Sequence, residues 1–189
     1  AKHRQGDADL GVALESGTAT IVAAVARMQA LVDEFSRYAR MPRPQPRAVD
    51  LAALVGEVVP LYRDLKPGVT LSAQLPADLG PLWADAEQLR RVVINLLDNA
   101  IEATEAPGEI AIELRPVGER IELAVRDTGR GIPAEQREKL FLPFFSTKGR
   151  GTGLGLAIVH RIAADHHGSV RVEDNAPRGT VFVVDLPRS

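Results

Sequence analysis

Gly151-Thr152-Gly153-Leu154-Gly155-Leu156 sets three glycines at alternate positions just ahead of the apolar run Ala157-Ile158-Val159. Glycine lets main-chain amides approach a ligand, and the helix that this run opens adds its dipole, so the stretch reads as an anion site suited to a polyphosphate. Position excludes two common Gly-rich loops. The dinucleotide fingerprint needs a strand before the glycines and a small residue where Leu156 stands, and the Walker loop needs a Lys followed by Ser or Thr at an offset where none occurs. A Gly-rich run alone is weak; two stretches upstream give it meaning.

The first is Asn95-Leu96-Leu97-Asp98-Asn99-Ala100, with Val92, Val93 and Ile94 before it. Asn95 and Asn99 lie four residues apart, so on a helix their amides leave from one face. A pair of solvated asparagines is one reading. The flanking apolar residues make the helix a buried one, however, and buried amides need partners, which a ligand cavity supplies. Mg²⁺ takes hard oxygen ligands alongside water and phosphate oxygens, and an amide oxygen suits that set. The second stretch is Asp127-Thr128-Gly129-Arg130-Gly131-Ile132-Pro133, where a carboxylate ends a strand and two glycines follow. Besides a plain turn, it reads as an acceptor for the exocyclic amine of adenine. A calcium loop is a poor alternative, because Gly129 and Gly131 occupy ligand positions and Ile132 stands where the sharp-turn glycine belongs. Lys148 and Arg150 are either solvated cations or charge for a γ-phosphate.

The composition suits a folded domain with a smaller element attached: 189 residues, 45% hydrophobic and 25% charged. A formal charge of −2 gives no clustered basic surface of the kind that grips nucleic acid without regard to sequence. The longest purely apolar run, Ile21 to Ala26, is far short of the roughly 20 residues that cross a bilayer. We expect no nucleic acid and no membrane contact. Without cysteine there is no disulfide or thiolate metal site, and the expected location is cytoplasmic. His3, His160, His166 and His167 show no metal spacing; the last two read as a helix end ahead of Gly168.

Along the chain, residues 1–11 are polar and aperiodic. Leu14, Thr18, Ile21, Val25, Met28, Val32, Phe35 and Ala39 recur at steps of four and three, which predicts a heptad-like amphipathic helix over 14–41. Pro42, Pro44 and Pro46 end it and read as a stiff linker over 42–49, the best domain boundary. Over 50–189, Asp50 caps a helix from Leu51 and Asp85 caps a longer one through about Ala103. Strands are expected at Val69–Leu75 and Pro81–Ala84, hairpins at Glu109–Arg126 and Ser169–Leu186, and a helix from Leu154 to about Asp165. Strands and helices are mixed rather than strictly alternating, which predicts an α/β fold, a two-layer sandwich of mixed sheet on helices.

The three stretches, in this order, resemble the ATP-binding domain of sensor histidine kinases and the wider superfamily that includes type II topoisomerase and MutL ATPases. The resemblance spans about Leu51 to Pro187. It implies that ATP or ADP is held by Asn95, Asn99, Asp127, Gly129, Gly131, Ile132, Thr152, Gly153, Leu154, Gly155, Leu156 and Thr180, with Asn99 as the Mg²⁺ ligand. It also implies that the stretch from Ile132 to Gly151 is an ATP lid, whose Phe141, Phe144 and Phe145 dock it, with Phe144 at the nucleotide. Hydrolysing relatives carry Glu at the position of Asn95, and Asn is no general base, so transfer to a protein acceptor is expected instead, with Asn95, Lys148 and Arg150 serving catalysis. Residues 32–42 resemble the second helix of the dimerisation hairpin in nitrogen-regulation sensor kinases of the NtrY and NtrB type. Such kinases are homodimers that pass the phosphoryl group to the receiver domain of a response regulator. The acceptor motif, His then an acidic residue and Asn-Pro, is absent, so residues 1–41 are expected to be part of that hairpin in a larger sensor. A nucleotide-gated module without transfer, an ATP hydrolase and a Ser/Thr-directed anti-sigma-type kinase are the rivals.

Overall fold

In the computed structural model the described residues are 17–26, 28, 29, 32, 35, 36, 38–146 and 152–188. The chain divides into two compact units, Ala1–Met41 and Pro42–Ser189. In the first, the described residues between 17 and 39 are helical (α1), and Ile21, Val25, Met28, Val32 and Phe35 are exposed along it. Residues 1–16, including the stretch expected to be irregular, lie outside the described ones.

In the second unit the order is β1 (Arg47–Val49), α2 (Leu51–Val58), a 3-10 turn (Val59–Leu61), β2 (Val69–Gln74), β3 (Leu82–Ala84), α3 (Ala86–Ala103), β4 (Gly108–Val117), β5 (Arg120–Asp127), α4 (Ala134–Arg137), α5 (Gly155–Asp165), β6 (Ser169–Asp174) and β7 (Thr180–Pro187). Both expected caps are present: Asp50 accepts from the Ala53 amide, and Asp85 from those of Glu87 and Gln88. Such caps satisfy amides that a helix start otherwise leaves without partners. The main sheet runs β2-β4-β5-β7-β6, parallel only between β2 and β4 and antiparallel elsewhere. Its inner face (Ile110, Ile112, Leu114, Ile121, Leu123, Val125, Phe182, Val184, Leu186) is buried, as are Leu89, Val92, Val93, Leu96 and Leu97 of α3 and Ile158 and Ile162 of α5. The two-layer α/β fold expected from the sequence is the observed one.

The other face of the sheet carries a network of charge. Arg115 pairs with Glu113 and Glu122, Arg126 with Glu113, and Arg171 with Glu122 and Glu173. Ala124, Val181 and Val183 form a small buried cluster there. Arg126 and Arg171 are the cross-strand neighbours of Val181 and Val183, and arginine stems can cover apolar surface while their heads stay wet.

The stretch read as a linker is partly structured. Arg47–Val49 pairs antiparallel with β3, the Gln45 amide donates to Asp85 Oδ2 at 2.9 Å, and Gln88 Nε2 donates to the Pro42 carbonyl at 3.1 Å. The prolines remove donors only at their own positions, so the ladder begins directly after Pro46. At the end of α5 the left-handed residue is His167 (φ 57°), not Gly168. Gly168 is needed for space instead: a Cβ there would lie 2.3 Å from the Asp185 carbonyl oxygen. Among the described residues no helix is long and apolar enough to cross a membrane.

Candidate functional site

The buried middle of α3 fixes the two asparagines. Asn95 Nδ2 donates to the Arg91 carbonyl at 2.9 Å and Asn99 Nδ2 to the Asn95 carbonyl at 2.8 Å. With each amide nitrogen engaged by the preceding turn, Oδ1 is the end of the side chain suited to a cation. The start of α5 comes against this face: a Cβ on Gly155 would lie 3.0 Å from Asn95 Oδ1. Two of the three motifs thus meet at a glycine, where a Cβ would be a tight fit against the Asn95 side chain. On the same helix Asp98 accepts from the Tyr62 hydroxyl at 2.8 Å. Burial, and then that bond and the carboxylate's charge, push the phenol well above its ordinary pKa. Lys66 donates to the carbonyls of Ile101 and Thr104 and so closes the C-terminal end of α3.

Asp127 ends β5 opposite Thr180 of β7 and is 3% exposed. Its Oδ1 accepts from the amides of Gly129 at 2.8 Å and Thr180 at 3.3 Å. Two glycines make that approach possible. A Cβ on Gly129 would sit 2.4 Å from the Ala103 carbonyl oxygen, and one on Gly179, whose φ is +118°, only 1.8 Å from the Asp127 carbonyl oxygen. The Arg130 amide closes the turn onto Ala103 at 3.3 Å. Strand end and helix end are locked together by backbone contacts.

Beside this lock is a cavity of about 360 Å³, within the range of small-molecule sites. Of the residues expected to hold nucleotide, Asn99, Asp127, Gly131, Ile132, Leu156 and Thr180 line it. Gly129 lies behind Asp127, and Asn95 and Gly155 meet next to the cavity without lining it. Leu154 is fully buried, its carbonyl accepting from the Ile158 amide, and the Leu154 amide donates to Thr152 Oγ1 at 3.4 Å. Gly153 (φ +72°) packs on the backbone of Phe144, whose amide donates to its carbonyl at 3.0 Å. Phe144 itself is 55% exposed with φ 65° and does not line the cavity. Phe141 does dock, its ring 5.6 Å from that of His160 on α5. Lys148, Arg150 and Gly151 lie outside the described residues.

Ala103, Arg130, Pro133, Gln136, Leu140 and Phe182 also line the cavity and were missed from the sequence. Ala103 follows Asn99 by four residues on α3, and Phe182 follows Thr180 by two on β7, so helical and strand periodicity point to both. Gln136 and Leu140 carried no such signal.

The fold is a two-layer α/β domain with a small-molecule-sized cavity between the end of α3, the ends of β5 and β7, and α4. Residues 84–189 match the family described as histidine kinase-, DNA gyrase B-, and HSP90-like ATPase, and the chain belongs to that family. Nitrogen regulation protein NtrY of Azorhizobium caulinodans is 36% identical over 86% of this chain and 22% of its own length. This chain therefore spans about a fifth of that relative. The catalytic domain of histidine kinase ThkA is 35% identical, with a TM-score of 0.70 over 76% of this chain and 96% of that one. ThkA in complex with response regulator protein TrrA is similar at 30% identity and a TM-score of 0.74, over 89% of this chain and 49% of that one. Full-length ShkA in complex with AMPPNP matches at 29% identity and a TM-score of 0.74, over 85% of this chain and 35% of that one.

Proposed function

We propose that the chain is the ATP-binding catalytic part of a two-component sensor histidine kinase of the nitrogen-regulation type. The observation that carries this reading is the cavity in which a buried carboxylate, Asp127, stands with the α3 amide of Asn99 among the apolar side chains of Ile132, Leu140, Leu156 and Phe182. The apolar residues enclose the adenine ring, and Asp127 accepts from its amine. Thr152, Gly153 and Gly155 bring main-chain amides to the phosphates at the start of α5. The AMPPNP in the ShkA complex supports the same ligand class.

The donor set fits Mg²⁺ only in company with phosphate. Among the described residues no group of three or more His, Cys, Asp or Glu could hold a metal, and Asn99 contributes an oxygen because its nitrogen is engaged by Asn95. When bound, the ion neutralises phosphate charge. Lys148 and Arg150 add positive charge at the γ-phosphate. Asn95 cannot take a proton from water, so hydrolysis is slow and the γ-phosphoryl leaves ADP for an imidazole nitrogen of a His outside these 189 residues, then for an Asp of a receiver domain. The TrrA complex of ThkA supports that class of partner. Residues 1–41 serve as part of the dimerisation hairpin; the exposed apolar side chains of α1 support a homodimer.

The test is transfer in trans. The protein is incubated with γ-labelled ATP and a longer chain that carries an acceptor helix but is disabled at its own ATP site. Label on the longer chain alone is expected. Stable label on this chain, or rapid phosphate release, overturns the proposal.

A further inference from the structure

The turn between β6 and β7 touches both sides of the cavity. Asn175 Nδ2 donates to the Asp127 carbonyl at 2.8 Å, and the Asn175 amide donates to the Gly179 carbonyl at 3.2 Å. One residue earlier, Asp174 accepts from the guanidinium of Arg137, the last residue of α4, and the same guanidinium donates to the Ile132 carbonyl at 3.4 Å. Ile132 and Gln136 line the cavity beside Arg137, and Asp127 lines it from the sheet. Asp174, which ends β6, and Asn175, which follows it, therefore hold the base of the outer wall and the main chain of the strand end that carries Asp127. Neither residue lines the cavity; each acts on residues that do or that flank them.

We propose that Asp174 and Asn175, with Arg137, are positioning residues that clip the outer wall of the nucleotide cavity to the strand end carrying Asp127. The clip rests on the nucleotide reading given above. Its two halves differ in kind. Asn175 anchors a buried main-chain carbonyl, so it governs how Asp127 meets the base. The Arg137–Asp174 pair is reached by solvent, with the Asp174 side chain 72% exposed, so it governs how readily the wall swings away, and salt weakens it. Breaking the pair speeds ligand escape without altering which base is preferred; loosening Asn175 does the reverse.

Release of fluorescent mant-ADP with Mg²⁺, followed by stopped flow, separates the two. Arg137→Gln and Asp174→Asn should each speed release by about two- to fivefold at low salt. The double variant should release no faster than either single one, as expected for partners in one interaction. At 1 M salt the difference from wild type should vanish, and the reversed pair, Arg137→Asp with Asp174→Arg, should recover part of the slow release. Asn175→Ala should leave the salt response intact and narrow the preference for mant-ADP over mant-GDP. Additive effects of the two single variants, or wild-type release in both while the wild-type protein holds mant-ADP, overturn the clip alone. A wild-type protein that holds no mant-ADP overturns the nucleotide reading.

Discussion

The two sides of the cavity are built to different tolerances. On the sheet side, Asp127, Gly129, Gly179 and Thr180 are locked by main-chain amides that donate to the Asp127 carboxylate and by approaches at the two glycines so close that a single Cβ would collide. On the outer side, the contacts of Pro133 to Phe145 among the described residues include the Arg137–Asp174 ion pair, the Arg137 bond to the Ile132 carbonyl, a ring contact to His160 and the bond between Phe144 and Gly153. The first side can recognise a ligand because it cannot adjust. We expect the second to open more readily than the first, since lids are drawn from regions of low local stability.

Glycine substitutions probe that contrast with opposite signs. Gly179→Ala, in a left-handed conformation and against the Asp127 carbonyl, should cost about 3 kcal/mol or more, read by urea denaturation. A wild-type midpoint would mean that the sheet side is not rigid. His166→Ala comes next. His166 Nε2 accepts from the Asp85 amide at 3.0 Å while Nδ1 donates to the Ile162 carbonyl at 2.8 Å, so one buried ring ties the start of α3 to the end of α5. Its loss should cost about 1–3 kcal/mol and leave hydrogen exchange over 134–146 unchanged. Faster exchange there would show the two sides to be coupled through the helices.

Asp85 adds a pH dependence to the same tie. Burial acts to raise its pKa, but the amides of Gln45, Gln88 and Glu87 and the nearby His166 together hold it below the usual carboxylate value. A group with a lowered folded pKa binds its proton more readily when unfolded. Its contribution is therefore complete above an ordinary carboxylate pKa of about 4 and is lost as pH falls through the lower folded value. Asp85→Asn should flatten the acid limb of the stability profile; an unchanged limb would remove Asp85 from the account. The smallest effect belongs to the outer side. Phe144→Gly relieves a left-handed φ at an exposed aromatic and should be neutral or raise stability by up to about 1 kcal/mol by thermal melting. A large loss would mean that the outer wall is packed as tightly as the sheet.

The same contrast explains what could be read from the sequence. Caps at Asp50 and Asp85, the apolar stripe of α3 and the two hairpin patterns that give β4 with β5 and β6 with β7 are local signals, and each produced its element. The sheet side was legible for the same reason: Asp127, Thr180 and the glycines sit at strand and helix ends that periodicity locates. β1 was missed because three prolines dominate residues 42–46, although the ladder needs only Arg47–Val49. The resemblance to the family's lid puts Phe144 at the nucleotide; in this structure its amide bonds the Gly153 carbonyl and its side chain is exposed. Gln136, Leu140 and the Arg137–Asp174 pair depend on how α4 meets the β6–β7 turn, a tertiary contact without a local pattern.

Calorimetry of Mg²⁺-ADP binding to the wild-type protein and to Asp127→Asn tests the assigned site. Asparagine keeps an Oδ1 to accept from Gly129 and Thr180, so the fold should stand, but it presents an amide donor where the adenine amine needs an acceptor. Affinity should fall by about tenfold or more. Equal affinity in the two proteins would contradict the placement of the nucleotide at Asp127.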